Sequence, residues 1–239
     1  MPETLRIAKF QETLDRAVER KGGIAALNAL LSEALPSSSL IDIPDNRYLA
    51  MMTKCINQAG FSWKVIEKKW PEFEEAFFGF KLDTLTLLSD EQWEAYTQDK
   101  RVVRSWQKIK ALKENVAFLY NEKHEHKGIA RLIADWPETD LVGLLLHLKK
   151  QGSRLGGNTG QRFLRNMGKD CFVLSGDVTT VLIASGLDIK PQANSQRELH
   201  AIQAAFNQWH EETGLPYSHL SKIAAYSVGD NYAGIEQQI

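Results

Sequence analysis

Cysteine is nearly missing from this chain. Cys55 and Cys171 are its only two, too few for a disulfide framework or a four-cysteine zinc site. Long apolar runs are missing too: the stretch Leu141 to Leu146 falls far short of the ~20 residues that a membrane span needs. The amino terminus mixes both charge signs and carries no secretory apolar region, which predicts a cytoplasmic protein. Period-two alternation is scarce, so nothing strand-like is expected beyond a short extended piece at Cys171 to Leu174. There is no Gly-Lys-Ser or Gly-Lys-Thr phosphate loop after a strand and no Gly-x-Ser-x-Gly elbow, which removes the mononucleotide-loop and α/β-hydrolase readings. An excess of one charge is also lacking. The 29 basic and 30 acidic side chains leave −1, a balance that argues at first against a nucleic-acid partner.

What the chain does have is helical patterning. At 239 residues, 43% of them hydrophobic, it can bury a core in one large or two small domains. Leu5, Ile7 and Phe10 open an apolar pattern in Thr4 to Arg20 that Gly22-Gly23 stops, and a second helix is expected over Ile24 to Leu35. Asp45 is positioned to cap a helix through Tyr48, Met51, Met52 and Cys55. Ser89 with Gln92 forms a capping-box pattern for Asp90 to Gln98, with Asp83 capping the short segment before it. Arg104 to Asn121 repeats Ile109, Leu112, Val116 and Leu119 at helical spacing. Thr139 or Asp140 starts an apolar helix that Gly152 ends, and Leu199 to Trp209 mark a last one that stops at Gly214. The fold class predicted is all-α, with many short helices. No internal repeat is present, and residues 1–45 read as a helical extension ahead of a main domain over 46–239.

Charge is distributed less evenly than its total suggests. Lys100, Arg101, Arg104, Lys108, Lys110 and Lys113 form a run without an acid. Lys149, Lys150, Arg154, Arg162, Arg165 and Lys169 form another. Setting these twelve aside leaves −13 on the remainder. A basic face on an acidic body suits a phosphate backbone, since each neutralised phosphate releases counterions. A solvated helix face is the plain alternative. The second run also holds Leu155-Gly156-Gly157-Asn158-Thr159-Gly160 between two helical patterns. A glycine-rich turn there lets backbone N–H groups approach an anion, and the helix that follows adds its dipole. That is the physics of a helix-hairpin-helix gripping one DNA strand.

At this point the residues resemble a known family. Ala59-Gly60-Phe61-Ser62-Trp63, then KVIEKKWPEFEEAFFGF, Gln98-Asp99 and VVRSWQKIKALKENVAFL, are similar to the bacterial DNA-3-methyladenine glycosylase I family. The similarity resumes over Leu148 to Gly168, in LKKQGSRLGGNTGQRFLRNMG, as that family's helix-hairpin-helix. The resemblance implies an all-helical fold of the helix-hairpin-helix glycosylase superfamily, in two lobes. It implies a DNA repair enzyme that hydrolyses the N-glycosidic bond of alkylated purines, 3-methyladenine foremost, after flipping the nucleotide out of duplex DNA. Trp63 matches the family's pocket tryptophan, and the Gln58 to Phe61 turn matches the segment that plugs the gap. Cys55 falls where the family has a pocket glutamate. By the same resemblance Gly156, Gly157 and Thr159 hold phosphate, with Arg154, Arg162 and Lys169 supplying charge. The family's zinc clasp has no counterpart, because no cysteine precedes Cys55 or follows Cys171; no metal or cofactor is expected. A monomer acting on double-stranded DNA is the expected form. A catalytically silent DNA-binding protein on the same scaffold is the alternative, given Cys55.

Asp177 carries two readings. Superfamily members place an aspartate after the hairpin to stabilise the sugar or activate water, but strict register puts Ser175 there and Asp177 two residues late. Asp177 is equally suited to capping a helix. His124-Glu125-His126 lacks the i, i+4 spacing of a helical zinc pair and reads as solvated surface.

Overall fold

The computed structural model describes residues 7–125 and 127–230. The expected helix start at Thr4, and His126 of the alternating histidines, lie outside these. Helices dominate, and no strand occurs among the described residues. In chain order they begin with α1 (Gln11–Lys21), α2 (Ile24–Asn28), α3 (Ser37–Ile41), α4 (Asp45–Gln58) and α5 (Trp63–Ala76). Next come α6 (Leu82–Leu85), α7 (Asp90–Ala95), α8 (Trp106–Glu125) and α9 (Ile129–Asp135). The series ends with α10 (Leu141–Gln151), α11 (Asn158–Asn166), α12 (Gly176–Ala184), α13 (Gln196–Thr213) and α14 (Tyr217–Tyr226). None is long and apolar enough to cross a membrane.

Local chemistry accounts for several ends. The capping box at Ser89 forms as its spacing predicts, with Gln92 answering reciprocally, and Ser195 with Glu198 makes a second one for α13. Three expectations change. Pro44 is the residue before α4 and Asp45 is its first helical residue, favoured there by the helix dipole rather than by capping. The pattern at Ile7 and Phe10 is not helical: the Ala8 amide donates to Ser185 O at 2.8 Å and Trp209 Nε1 donates to Ala8 O at 3.0 Å. Those apolar residues are spaced to fill a tertiary contact, with Phe10 packed on Trp209 at 5.0 Å. Likewise the segment at Cys171 to Leu174 is irregular rather than a strand, with the Val173 amide donating to Ser221 Oγ at 3.3 Å.

The chain divides into two compact units, and the division does not fall at residue 45. One unit gathers the described part of 1–34 with 137–142 and 170–230. There α14 packs against α1, α12 and α13 around Phe172 stacked on Phe206 at 4.6 Å. The Asp170 carboxylate accepts from the Tyr217 and Ser218 amides and so closes the start of α14. The other unit comprises 35–136 and 143–169. Its centre is α4, which packs on α8, α11, α5 and α9. Phe73, Phe77, Phe80, Trp93 and Tyr96 fill the space between α5 and α7.

Candidate nucleic-acid interface

Helix α4 stops at Gln58 because the chain turns through Gly60, whose φ of 76° lies in the left-handed region that glycine enters without strain. The Phe61 amide donates back to Gln58 O at 3.2 Å. Phe61 therefore stands at the tip of the turn, 48% exposed, with Trp63 39% exposed at the head of α5. Gln58 does not share that exposure. Its side chain is buried and its Nε2 donates to Glu67 Oε1 at 3.1 Å, so the turn offers one projecting wedge, Phe61, and not two. Lys108 holds the turn from α8: its ammonium donates to the carbonyls of Asn57 at 2.8 Å and Ala59 at 3.1 Å and lies over the Phe61 ring at 4.4 Å. Burial and, secondarily, the Arg154 charge push the Lys108 pKa down.

The hairpin between α10 and α11 belongs to the same unit as this turn. Asn115 on α8, fully buried, accepts from the Ser153 amide at 2.7 Å and donates to Ser153 O at 3.1 Å. Arg154 follows in the left-handed region at φ 57°, uncommon for a residue with a Cβ, and reaches Gln107 Oε1 at 2.7 Å. Gly157 then takes φ 58°, ψ −141° as the residue before α11, a combination open in practice to glycine. No side chain caps α11, so the first amides, from Asn158 through Gly160, are left for an external acceptor. Thr159 stands in that first turn, half-buried.

Trp63 and Cys55 both meet α11. The Arg162 guanidinium, on α11, lies over the Trp63 ring at 4.7 Å, and Asn166, one turn further, donates to Cys55 Sγ at 3.6 Å. Cys55 is buried, which raises its thiol from the ordinary 9.0 to about 11, against smaller opposing effects of Asn166, Arg162 and Lys54. It is an uncharged thiol at any physiological pH. Arg162 is itself lowered by burial, with Cys55 the opposing neighbour. A cavity of about 310 Å³ adjoins this cluster, lined by Met51, Lys54, Trp70, Glu74 and Asn166 among others. A larger one of about 650 Å³, at Pro44, Asp83 and Lys123, contains none of these site residues. The expected result for Cys55 is inertness: thiol counting at pH 8 should find Cys55 and the equally buried Cys171 unreacted in the native protein and titrated once it is unfolded.

Three sequence expectations are corrected. Lys169 is 1% exposed and its ammonium donates inward to Trp136 O at 2.6 Å; a charge so committed is not offered to a phosphate. The run from Lys100 to Lys113 has no acid in sequence, but the fold brings acids to it. Arg101 pairs with Asp99 and Glu75, Lys113 with Asp90 and Lys110 with Glu114. The cap of α12 is Ser175, which accepts from the Val178 amide at 3.3 Å. Asp177 lies in the first turn of that helix, in the other compact unit from Trp63. The sequence reading also passed over Asn115 and Asn166, and took Lys108 only as one charge of a basic run rather than as the residue that holds the Phe61 turn. Asn115 had a signal: it interrupts the apolar stripe of α8 between Leu112 and Leu119. No group of three or more His, Cys, Asp or Glu side chains placed to hold a metal ion occurs among the described residues.

Comparison with known proteins bears on this arrangement. Two solved structures of 3-methyladenine DNA glycosylase I are similar to the chain. One has 20% identity over 60% of this chain and 86% of that one, at a TM-score of 0.47. The other, a point variant in complex with 3-methyladenine, has 16% identity over 64% and 91%, at 0.49. The Methanocaldococcus jannaschii 8-oxoguanine glycosylase/lyase, solved with a 15mer DNA containing 8-oxoguanine, covers 92% of this chain and 90% of its own at 14% identity and a TM-score of 0.50. The last of these, which spans nearly the whole chain, shows a shared helical fold. No curated protein sequence matches. The methyladenine glycosylase family model matches residues 42–179, more than half of the chain, spanning the Phe61 turn, Trp63, Cys55 and the hairpin, and the chain belongs to that family.

Proposed function

We propose that the protein is a DNA repair glycosylase that extrudes an alkylated purine from duplex DNA and hydrolyses its N-glycosidic bond. One observation carries this reading: within a single compact unit, an exposed aromatic wedge, a half-exposed tryptophan and an uncapped glycine hairpin come together. Together they suit an enzyme that flips a nucleotide out of duplex. The Phe61 ring fills the space of the absent nucleotide, Trp63 offers a flat face to the extruded base, and the amides at the head of α11 grip the backbone beside it. Water adds to C1′ as the C1′–N bond breaks with its electron pair going to the base; the proton that water loses goes to solvent when the base departs neutral and to the base when it departs as an anion. A good leaving group asks little of the protein beyond position, since holding reactants in place lowers the barrier by itself.

The test is base release from duplexes carrying alkylated purines, 3-methyladenine and ethenoadenine among them, followed by mass analysis. Free altered base from the wild-type chain is the expected result; duplex binding with no release from any alkylated substrate would leave a DNA-binding protein without activity. The charge assignment has its own check. Arg154→Gln should lower the slope of log affinity against log salt by about one. Lys113→Gln should leave the slope nearly unchanged, because that ammonium is spent on Asp90 at 2.6 Å.

A further inference from the structure

The Trp63 face is not an empty aromatic wall. The Arg162 guanidinium already lies over it at 4.7 Å, half-buried, and its electrostatic neighbour is the Cys55 thiol, which is uncharged. Lys54 adds a second positive charge felt by the same thiol. Glu67, on the helix that begins at Trp63, is committed to Lys54 at 2.7 Å and Gln58 at 3.1 Å. Glu74, the carboxylate on the adjoining cavity, is committed to Arg47 at 2.9 Å and to Trp70 Nε1 at 3.0 Å, so the site sets a partly desolvated cation, and no uncommitted carboxylate among these residues, against a positively charged base.

Resting on the glycosylase reading above, we propose that this site takes an uncharged altered purine, one that presents a carbonyl oxygen or an unprotonated ring nitrogen to Arg162, and discriminates against purines made cationic by ring-nitrogen alkylation. A base can enter in either of two ways, and each favours a neutral ring. If it layers on the guanidinium, a flat neutral ring stacks and a cationic one is repelled. If it displaces the guanidinium to its edge, the five N–H donors of arginine match an acceptor edge. The chemistry agrees with the charge. A cationic base departs neutral and needs no help, whereas an uncharged base departs as an anion: the C1′–N electron pair moves onto the base, water oxygen bonds C1′, and one water proton ends on the base. A guanidinium hydrogen-bonded to that base stabilises the negative charge as it develops. Arg162 is thereby a specificity-determining residue.

Two measurements on the full chain test this. The first is affinity for duplexes carrying one ethenoadenine, which is uncharged, or one 3-methyladenine, which is cationic, each on a 2′-fluoro sugar that resists hydrolysis. The uncharged lesion should bind about tenfold more tightly or better. Arg162→Gln should erase that preference and Arg162→Lys should keep most of it, with circular dichroism showing the helices intact. Equal affinity, or tighter binding of 3-methyladenine by the wild type, overturns the proposal. The second measurement is single-turnover release from the ordinary 2′-deoxy duplexes. Faster release of 3-methyladenine than of ethenoadenine also overturns it. Preference in binding with release from neither duplex would sink the glycosylase reading and leave the choice of base standing.

Discussion

Trp63→Ala should lower single-turnover base release by roughly ten- to a hundredfold, the loss that follows from removing a base-stacking aromatic worth about 1–3 kcal/mol. The same substitution should barely change the melting temperature. Trp63 is 39% exposed and begins a helix, so little buried area disappears with it, and the side chain stacked on it is an arginine already half in water. The combination is what separates a working aromatic from a core one: Trp209, wholly buried against Phe10 and Phe206, should cost about 3–5 kcal/mol of stability on the same truncation. Measuring release rate and thermal unfolding on both variants checks the pair. A Trp63→Ala protein that releases base at the wild-type rate would remove Trp63 from the site.

Gly160→Ala should be the most damaging single-methyl change in the hairpin. A Cβ built at Gly160 stands 2.3 Å from the Leu155 carbonyl oxygen and 3.3 Å from Leu145 Cδ2. The first contact is backbone, so no side-chain rotamer relieves it. Either α11 slides away from the turn or the turn opens, and overpacking of this kind costs about 1–3 kcal/mol. Leu155, at 0% exposure, anchors the turn in the core, so the displacement is carried to Arg154, Gly157 and the first amides of α11. Duplex affinity should therefore fall by about tenfold or more alongside stability, since every 1.4 kcal/mol is a factor of ten. Gly156→Ala is the control. Its Cβ would meet the flexible Lys149 side chain at 3.3 Å, which can give way, and both affinity and stability should stay near wild type. The comparison is made by denaturant unfolding and by fluorescence anisotropy with a labelled duplex.

Much of the site was readable because its determinants are local. Trp63, Phe61 and the glycines follow one another within a few residues, and their conformations are set by the turn that contains them. The same holds for the Ser89 capping box and for the stops at Gly22 and Gly214. Other assignments failed for a common reason. Lys169 looked like one more cation in a basic run, yet its ammonium turns inward to Trp136, 33 residues away. Gln58 looked like part of the wedge, yet Glu67 on the next helix draws it in. Ile7 and Phe10 mimicked a helical period because a single segment can match it by accident while packing on Trp209, some 200 residues on.

What the sequence determined by itself is the class of structure and the place of the glycine hairpin: helices from periodicity, their ends from caps and glycines, and a tight turn from Gly156, Gly157 and Gly160. These depend on forces that act within a turn or two of the chain. The tertiary structure alone decided which charges are available and what the base meets. Coulombic partners and burial depend on distance in space, and Asp90 beside Lys113, or Arg162 over Trp63, are neighbours that no spacing along the chain records. A net charge of −1 was compatible with any of these outcomes. The position of one guanidinium on one indole gives the site its sign.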